Sequence, residues 1–523
     1  MSAKQQVTQN SEVEERLAAL MTNANAIRAI TQAVEGTLGP KGLDTMLVDQ
    51  LGDVVITNDG VTILDLMDVN HPAARMLIKT ARAQQEEIGD GTTTATIMAG
   101  NLISEGVAQV LKGVPVIKVI EGIRSGITKA LTVLDEKTQE VTDLDAPVLL
   151  DTALVAGRGY KDIAQLVIDA AKLIGKEKIR DSNFKLADMV RAYEGADNQV
   201  ISGVIIDKEP LNAEMPKKLN TVKLLIIDDA LEPEEIEDEA LGTEAGFNRY
   251  IKLQEEFDQN LQKIVELGVN MVLVDRGVHD RAEEILTDAG VLVLQRVMNK
   301  ELRRTAEHCG AKTLKRTSLK KDVQELDKYI GYAKEAFYDE RLKHVRLIGG
   351  KGKAQATILV GASTEEVVGE RERIAKDAAS AVQAAVKGGI IAGGGTVELA
   401  VAREVEELRK EKRGMAAYGI DCVITALKAP FSQIVLNAGF NPLEKLGDVT
   451  AAQVESGKDS LGIDSDSGEI KDMIEMGVYD PALVKKYALK AAGEVAEAIL
   501  RIDTIIKKKE TRNNENMEQG NLF

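Results

Sequence analysis

Residues 88–95 read Ile-Gly-Asp-Gly-Thr-Thr-Thr-Ala, and this stretch indicates both a fold and a function. Gly89 and Gly91 can adopt backbone angles that are closed to other residues, so main-chain N–H groups can approach phosphate oxygens. Asp90 between them offers the carboxylate oxygen that Mg2+ prefers. The stretch therefore predicts a phosphate-binding loop, with an ordinary glycine turn before a threonine helix cap as the alternative.

The three threonines of this stretch open an apolar helical pattern. Thr92, Thr93 and Thr94 supply hydroxyl groups at its start. Apolar residues then follow at helical spacing, namely Ala95, Ile97, Met98, Leu102 and Ile103. Because the amino-terminal end of a helix carries unpaired N–H groups and a partial positive charge, we expect it to face a bound phosphate.

Three further glycine motifs lie far from this loop in the sequence. Residues 37–42 (TLGPKG) end a helical pattern, residues 58–60 (NDG) predict a tight turn, and residues 390–395 (IIAGGG) lead into another helix. Taken singly, each is better explained as a helix stop, a hairpin turn or a loop before a cap. If all four motifs bind one nucleotide, the two ends of the chain form one domain and the middle is inserted into it.

The composition is that of a large globular protein. Of the 523 residues, 44% are hydrophobic and 3% are aromatic. A chain of this length is expected to form about two to four domains with sizeable cores. The net charge of −18 argues against a nucleic-acid-binding function. Cys309 and Cys422 are too few for a disulfide framework, and the four histidines show no metal-ligand spacing.

The sequence also bears on the cellular compartment. The amino terminus is polar and charged, and no run of about eighteen apolar residues occurs. We therefore expect a cytoplasmic protein with reduced thiols and with neither a membrane nor a nucleic-acid partner.

The pattern of apolar residues divides the chain into three kinds of segment. Residues 12–142 and 400–507 are mostly amphipathic helix. From residue 222, strands are predicted at 222–227, 269–274, 291–294 and 312–315, with helices at 247–267, 280–289 and 300–308. That alternation indicates an α/β domain with a largely parallel sheet. Residues 143–208 and 362–390 are interpreted as connectors.

Four motifs carry a resemblance to a known family: LGPKG at 38–42, NDGVTIL at 58–64, GDGTTTA at 89–95 and AGGG at 392–395. They look like the nucleotide-site signatures of the chaperonins. The similarity extends from about residue 24 to residue 506. The intervening sequence is more similar to the archaeal thermosome and eukaryotic cytosolic (group II) type than to the bacterial type with a detachable lid.

The resemblance implies a multidomain α/β fold with nested domains. These are an equatorial domain (1–142 and 396–523), an intermediate domain (143–208 and 362–395) and an apical domain (209–361). The equatorial domain is expected to be mostly helical and the apical domain α/β. A helical protrusion is implied at about 231–268, although an acidic approach to a plain crossover helix also explains that insertion.

The resemblance also assigns roles in the binding and hydrolysis of ATP. Asp90 is implied as the Mg2+ ligand, Asp377 as the base that activates water and Asp59 as a second acid. Phosphate and nucleoside contacts are implied for Leu38, Gly39, Pro40, Gly91, Thr92, Thr93, Thr94, Gly394 and Asp480. In its own sequence context Asp377 is an ordinary helix carboxylate, and only the match gives it a catalytic role.

The chain departs from the group II pattern at residue 158. Gly157-Arg158-Gly159 stands where that group has Gly-Lys-Gly, which reports the γ-phosphate state to the lid. Arginine keeps the positive charge but presents a planar fork, so Arg158 is the expected sensor and Lys161 is its rival. Thr396 also stands where alanine is usual. Such departures suit the archaeal-like chaperonins of some bacteria.

The function implied is that of an ATP-driven chaperone. Its double ring, homo- or hetero-oligomeric, encloses non-native polypeptide under a built-in lid, and no separate lid protein is expected. Short β-prone segments at 54–56 and 499–506 would be exposed edges if they stayed unpaired. The resemblance implies that the terminal segment pairs with the hairpin of a neighbouring subunit. Two alternatives stay open: a small-molecule kinase and a non-hydrolysing nucleotide-binding scaffold.

Overall fold

The computed structural model describes residues 11–14, 16–48, 52, 54–234 and 243–508. The helices are α1 (Arg16–Glu35), α2 (Gly60–Leu66), α3 (Pro72–Glu87), α4 (Thr92–Leu111), α5 (Val116–Lys137), α6 (Pro147–Ala156), α7 (Lys161–Ile174), α8 (Lys176–Arg180), α9 (Glu244–Glu266), α10 (Asp280–Asp288), α11 (Asn299–Cys309), α12 (Val323–Asp327), α13 (Glu365–Gly388), α14 (Thr396–Glu411), α15 (Ala417–Asn437), α16 (Pro442–Ser456) and α17 (Ala482–Leu500).

The strands are mostly short. They are β1 (Ser11–Glu14), β2 (Thr45–Val48), β3 (Val54–Thr57), β4 (Val190–Glu194), β5 (Gln199–Ile201), β6 (Gly203–Ile206), β7 (Lys218–Leu219), β8 (Val222–Ile227), β9 (Met271–Val274), β10 (Leu292–Leu294), β11 (Thr313–Leu314), β12 (Gly331–Ala333), β13 (Glu335–Asp339), β14 (His344–Ile348), β15 (Thr357–Ala362), β16 (Ile390–Ala392), β17 (Leu461–Ile463), β18 (Ile470–Asp472), β19 (Tyr479–Pro481) and β20 (Ile505–Lys508).

The chain divides into two compact units. The first unit is Met1–Gly159 with Asp377–Phe523, and the second is Tyr160–Lys376. The first unit is therefore built from both ends of the chain, with the second unit inserted between them. The finer division into equatorial, intermediate and apical domains stays a prediction.

Helix α4 lies at the centre of the first unit and packs against α1, α3, α15 and α17. It is buried on nearly every side because small residues let its neighbours approach closely. Gly100 is an example, since a Cβ atom added there would lie 2.1 Å from Oγ1 of Thr31 on α1. The helix therefore has its amino-terminal end fixed by the packing of the whole unit.

Helix α15 is a core helix of the same unit. By length and composition alone it could cross a membrane, and it is the helix with that property in the described part of the chain. Its side chains Ile420, Val423 and Leu427 are buried against neighbouring helices. Its apolar composition is thus explained by packing within the unit.

The second unit contains the predicted α/β sheet. Strand β8 pairs in parallel with β9 and β11, and β9 pairs in parallel with β10. Strand β12 adds an antiparallel partner to β8. The prediction of a largely parallel sheet is confirmed, and each predicted strand and helix of this region occurs within a few residues of its expected bounds.

Both faces of this sheet are buried, which explains why its strands are apolar without alternation. Leu225, Val272 and Val293 face one cluster of buried side chains. Leu224, Leu273 and Leu292 face the other. A strand with one exposed face would instead show polar residues at every second position.

Two expectations require correction, and a third lies partly outside the described residues. Residues 143–208 and 362–390 are not plain connectors, because they contain α6, α7 and much of α13, as well as strands β4 and β5. The segment 499–506 is not a continuous strand, since Ile499 and Leu500 end α17 and the strand begins at Ile505. Of the predicted protrusion, α9 is a helix as expected, and residues 235–242 lie outside the described residues.

Candidate functional site

The loop that contains Asp90 connects α3 to α4. Gly89 and Gly91 both have positive φ angles, of 83° and 79°, as the sequence predicted for this turn. Gly91 is the residue before α4, and no side chain caps the first turn of that helix. The N–H groups at the start of a 20-residue helix are therefore available to an anion.

The Asn-Asp-Gly turn packs against this loop. A Cβ atom added to Gly60 would lie 2.5 Å from Oγ1 of Thr93 and 3.3 Å from Oγ1 of Thr92. Asp59 precedes this glycine, and its Oδ2 accepts hydrogen bonds from the main-chain N–H (3.1 Å) and the hydroxyl (2.6 Å) of Thr62. Asp59 thus caps α2, whatever further role it has.

The Ala-Gly-Gly-Gly motif follows β16, which pairs with β19 and brings Asp480 opposite Ile391. A Cβ atom added to Gly393 would lie 3.2 Å from the carboxyl carbon of Asp480. Gly394 and Gly395 have φ angles of 66° and 77°, and Gly395 is the residue before α14. The motif therefore forms a second glycine turn at a helix start.

The Leu-Gly-Pro-Lys-Gly loop, residues 38–42, follows α1 and is backed by α15. A Cβ atom added to Gly39 would lie 3.1 Å from Ile434, and one added to Gly395 would lie 2.9 Å from Phe431. Since these two residues are one turn apart on α15, one helix backs both glycine loops. Gly39 and Pro40 are exposed and Leu38 is half-buried.

The acidic side chains of these loops form a buried charged cluster. Burial, together with the nearby carboxylate of Asp480, raises the pKa of Asp90 to about 6. Lys485 on α17 forms ion pairs with Glu398 at 2.7 Å and with Asp480 at 2.9 Å. Burial opposes the charge of Lys485, yet these two carboxylates hold its pKa above the ordinary value.

Two further residues of the cluster, Glu398 and Lys485, were not predicted from the sequence. Both side chains are almost completely buried, with 1% and 6% of their surface exposed. A signal was available, because each charged residue lies among the apolar residues of a helix that starts at a predicted site motif. A charge on a buried helix face requires a partner, and the two residues provide it for each other.

Asp377 lies on α13 next to the Asp90 loop. Ser380, one turn later on the same helix, is so close to Gly89 that a Cβ atom added to Gly89 would lie 2.3 Å from its hydroxyl oxygen. Asp377 itself is half-buried. The carboxylate that the resemblance singled out is thus one helical turn from a contact with the candidate phosphate loop.

Arg158 lies in a glycine-flanked turn with a φ angle of 52°, which is uncommon for a residue with a side chain. Its guanidinium group donates a hydrogen bond to Oδ1 of Asn58, the first residue of the Asn-Asp-Gly turn. Gly157 before it lies against Ala378 of α13. Lys161 is the first residue of α7 and belongs to the second unit.

The donor atoms of the cluster fit a hard divalent cation held partly by a ligand. Among the described residues, no three His, Cys, Asp or Glu side chains converge as a complete metal site. Asp90 could therefore hold Mg2+ only together with water and phosphate oxygens, which is how Mg2+ is commonly bound beside nucleotides. The excess of negative charge around Asp90 favours the binding of a cation at this site.

Comparison with known proteins explains this arrangement. Residues 30–510 match the model of the TCP-1/cpn60 chaperonin family. The chain belongs to this chaperonin family. It is 38% identical to a thermosome subunit of Pyrococcus abyssi over 518 residues, which are 95% of this chain and 92% of that protein. It is 36% identical to the thermosome subunit beta of Archaeoglobus fulgidus, covering 93% of this chain and 91% of that protein.

A solved chaperonin structure is similar along nearly the whole chain. The crystal structure of a group III chaperonin in the open state matches with a TM-score of 0.84 and 51% identity, covering 94% of this chain and 99% of that one. The recognition of a chaperonin from four short motifs is thereby confirmed. The higher identity to the group III protein agrees with the departures from the group II pattern at residues 158 and 396.

Proposed function

We propose that this chaperonin binds and hydrolyses ATP with Mg2+, and that hydrolysis drives the closure of a double ring around non-native polypeptide. The observation that supports this most is the buried negative cluster around Asp90. It lies at the start of α4, beside the turns that carry Asp59 and Gly394. Membership of the chaperonin family supports the protein-folding function, and the geometry of this cluster indicates where the nucleotide would bind.

Phosphate binding is assigned to the loop at the start of α4. Gly91 lets the main chain turn into the helix, and the N–H groups and hydroxyls of Thr92, Thr93 and Thr94 would contact phosphate oxygens. Asp90 would hold Mg2+, with Gly39 and its neighbours contacting the same nucleotide. The chemistry supplied by a bound Mg2+ ion is the neutralisation of phosphate charge.

Hydrolysis requires a carboxylate that orients and activates water. We assign this role to Asp377, because α13 contacts the Asp90 loop one turn further along at Ser380. Asp59 is the second candidate, although its carboxylate already caps α2. Asp480 and Gly394 would border the nucleoside, with the Asp480 carboxylate held in place by Lys485.

Ring assembly is assigned to the terminal strands and to the hairpin of β2 and β3. Within the chain, β20 pairs with β1 and β2 pairs with β3. Met46 and Ile56 of the hairpin are 62% and 56% exposed, which is unusual for side chains of this size. Pairing of the terminal strands with the hairpin of a neighbouring subunit would cover them.

The lid is assigned to the insertion between β8 and β9. Its described part is α9, which exposes Phe247, Tyr250 and Ile251 near its start. We propose that this segment, at about residues 231–268, closes the ring without a separate lid protein. The nested equatorial, intermediate and apical domains, and a cytoplasmic location, complete the proposal.

Three measurements on the purified full-length chain test it. Light scattering should give a particle many times the mass of one chain. An ATPase assay should show slow, Mg2+-dependent turnover with water as the acceptor, and ATP should be needed to release refolded client. A small particle that transfers phosphate to a small molecule would favour a kinase. A ring that binds nucleotide without turnover would favour a scaffold.

A further inference from the structure

Gln84 in the last turn of α3 makes four contacts that shape the Asp90 loop. Its main-chain carbonyl accepts hydrogen bonds from the N–H groups of Ile88 (2.9 Å) and Gly89 (3.2 Å). Its side-chain Nε2 donates to the carbonyl of Asp90 at 2.7 Å and to the carbonyl of Val484 at 3.3 Å. The side chain is fully buried, with 0% of its surface exposed.

The loop approaches this amide closely because Gly91 has no side chain. A Cβ atom added to Gly91 would lie 3.2 Å from Nε2 of Gln84 and 2.4 Å from Cγ1 of Val484. The glycine therefore serves two purposes, since it also provides the positive φ angle of 79° before α4. The peptide that joins Asp90 to Gly91 is clamped between α3 and α17.

Clamping this peptide orients the Asp90 carboxylate. In a planar trans peptide the carbonyl and the N–H of the next residue point in opposite directions. When Gln84 fixes the carbonyl of Asp90, it also fixes the N–H of Gly91, and that N–H donates to Oδ1 of Asp90 at 2.6 Å. One carboxylate oxygen is thereby held in place by the loop itself, which leaves the other to a cation.

A purely structural role explains Gln84 less well. Its Oε1 is buried and accepts no hydrogen bond from the described residues. A buried amide with an unsatisfied oxygen costs folding free energy, whereas an apolar side chain of the same shape would fill the space without that cost. The two donated hydrogen bonds are what the amide adds at this position.

We propose that Gln84 is a positioning residue for the magnesium ion, acting through the Asp90–Gly91 peptide. The inference rests on the proposed function, because it assigns the cation site to Asp90. A side chain that holds a metal ligand in position without contacting the metal typically contributes about 10- to 100-fold to metal affinity. Gln84 should therefore affect nucleotide binding only when Mg2+ is present.

The test compares one substitution at two buried glutamines. Gln84→Met keeps the length of the side chain and removes its donors. The matched control is Gln453→Met, since Gln453 is 1% exposed and also donates only to carbonyls. These are the carbonyls of Thr396 at 3.2 Å, Asp459 at 3.1 Å and Leu461 at 3.0 Å.

Binding of ADP to the assembled full-length protein is measured by calorimetry, in excess Mg2+ and in EDTA. We expect Gln84→Met to weaken ADP binding about 10- to 100-fold in Mg2+ and less than about threefold in EDTA. Gln453→Met should change both affinities by the same factor. An equal loss in both media for Gln84→Met, or no loss in either, would overturn the assignment.

A second variant covers the case in which Gln84→Met does not fold. Gln84→Leu removes the amide and adds no buried charge, so the same Mg2+-specific loss is expected. The wild-type protein tests the cation site at Asp90 separately from the positioning role of Gln84. If its own affinity for ADP did not depend on Mg2+, the proposed cation site at Asp90 would fail and not only the role of Gln84.

Discussion

In the second unit, the buried side chains of Glu301 and Arg304 lie near Arg191, Asp207 and Asp188. Lys300 pairs with Asp188 at 2.6 Å, so that three carboxylates face three cations. In the first unit, the cluster around Asp90 contains three acidic residues, Asp90, Glu398 and Asp480, and one basic residue, Lys485. Each cluster contains two buried charged side chains, Glu301 and Arg304 in the second unit and Glu398 and Lys485 in the first. They differ in net charge: the described side chains of the second-unit cluster balance one another, and those around Asp90 leave an excess of negative charge.

This difference indicates which cluster has a ligand. A buried ion network whose charges cancel can be explained by the fold alone, since each charge has a partner in the chain. A buried excess of negative charge destabilises the protein unless a cation binds, and such sites are where function is usually found. The unbalanced cluster lies at the glycine loops, and the balanced one lies among β4, β6 and α11.

The largest effect is expected from Asp377→Ala in the first unit. Hydrolysis should fall about 100- to 10,000-fold, the usual contribution of a positioned general base. This corresponds to roughly 3 to 5 kcal/mol of transition-state stabilisation. Nucleotide affinity should change little, because the carboxylate acts on water. Steady-state ATPase measured on assembled rings decides the matter.

The control for this variant removes a carboxylate from the second unit. Asp339 forms an ion pair with Arg346 at 2.9 Å and is far from every glycine loop in the sequence. Asp339→Ala should lower thermal stability and leave the turnover of assembled rings within about twofold, as expected for a site outside the chemistry. Unchanged turnover in Asp377→Ala would remove that residue from the mechanism.

A smaller effect is expected when one carboxylate of each cluster is neutralised, and the change in the free energy of unfolding should have opposite signs in the two clusters. In EDTA at pH 8, Asp90→Asn should stabilise the first unit by about 1 to 3 kcal/mol, because it removes a carboxylate whose pKa is raised by burial. The raised pKa means that the ionised form opposes folding above pH 6, and the gain should disappear below pH 4. Burial raises the pKa of Glu301 as well, but Glu301→Gln should instead destabilise the second unit by about 1 to 3 kcal/mol, because Arg191 and the buried Arg304 lose the charge of a nearby carboxylate.

Each unit contains one cysteine with which to measure this contrast. Cys422 in the first unit and Cys309 in the second are both buried, and burial raises the pKa of each thiol to about 12. A thiol reagent should therefore react only after local unfolding. Labelling of Cys422 should slow in Asp90→Asn, and labelling of Cys309 should accelerate in Glu301→Gln. Changes of the same sign in both variants would contradict the distinction between the clusters.

The sequence predicted the parts of the site that local chemistry determines. The positive φ angles at Gly89 and Gly91 and the helix start at Thr92 follow from residues adjacent in the chain. The parallel sheet of the second unit was also predictable, because strands buried on both faces are continuously apolar. Such features depend mainly on residues close together in the chain, and they can therefore be predicted from a single sequence.

The residues that complete the site could not be predicted in the same way. Lys485 on α17 meets Glu398 on α14 only through the tertiary fold, and Gln84 meets Val484 across 400 positions of sequence. A buried polar residue indicates that a partner exists without indicating which one. The same limit explains why the β-prone segment 499–506 begins as helix, since Ile499 and Leu500 are buried at the end of α17.

The smallest effect is expected at Arg158, a cation at the exposed edge of the unbalanced cluster. In this structure its guanidinium group binds Asn58, the residue before Asp59. If Arg158 senses the γ-phosphate, its guanidinium group must release the amide oxygen of Asn58 and donate to a phosphate oxygen, which is a stronger acceptor. Arg158→Ala should then bind ATP and assemble, but close about five- to tenfold more slowly, as expected for one hydrogen bond to an exposed charged group.

The measurement is the rate at which the segment at about residues 231–268 becomes protease-resistant after ATP is added. Arg158→Lys should restore much of the rate, because the charge returns without the planar fork. Lys161→Ala tests the rival residue, which is the first residue of α7. Normal closure in Arg158→Ala together with lost closure in Lys161→Ala would transfer the sensor role to Lys161.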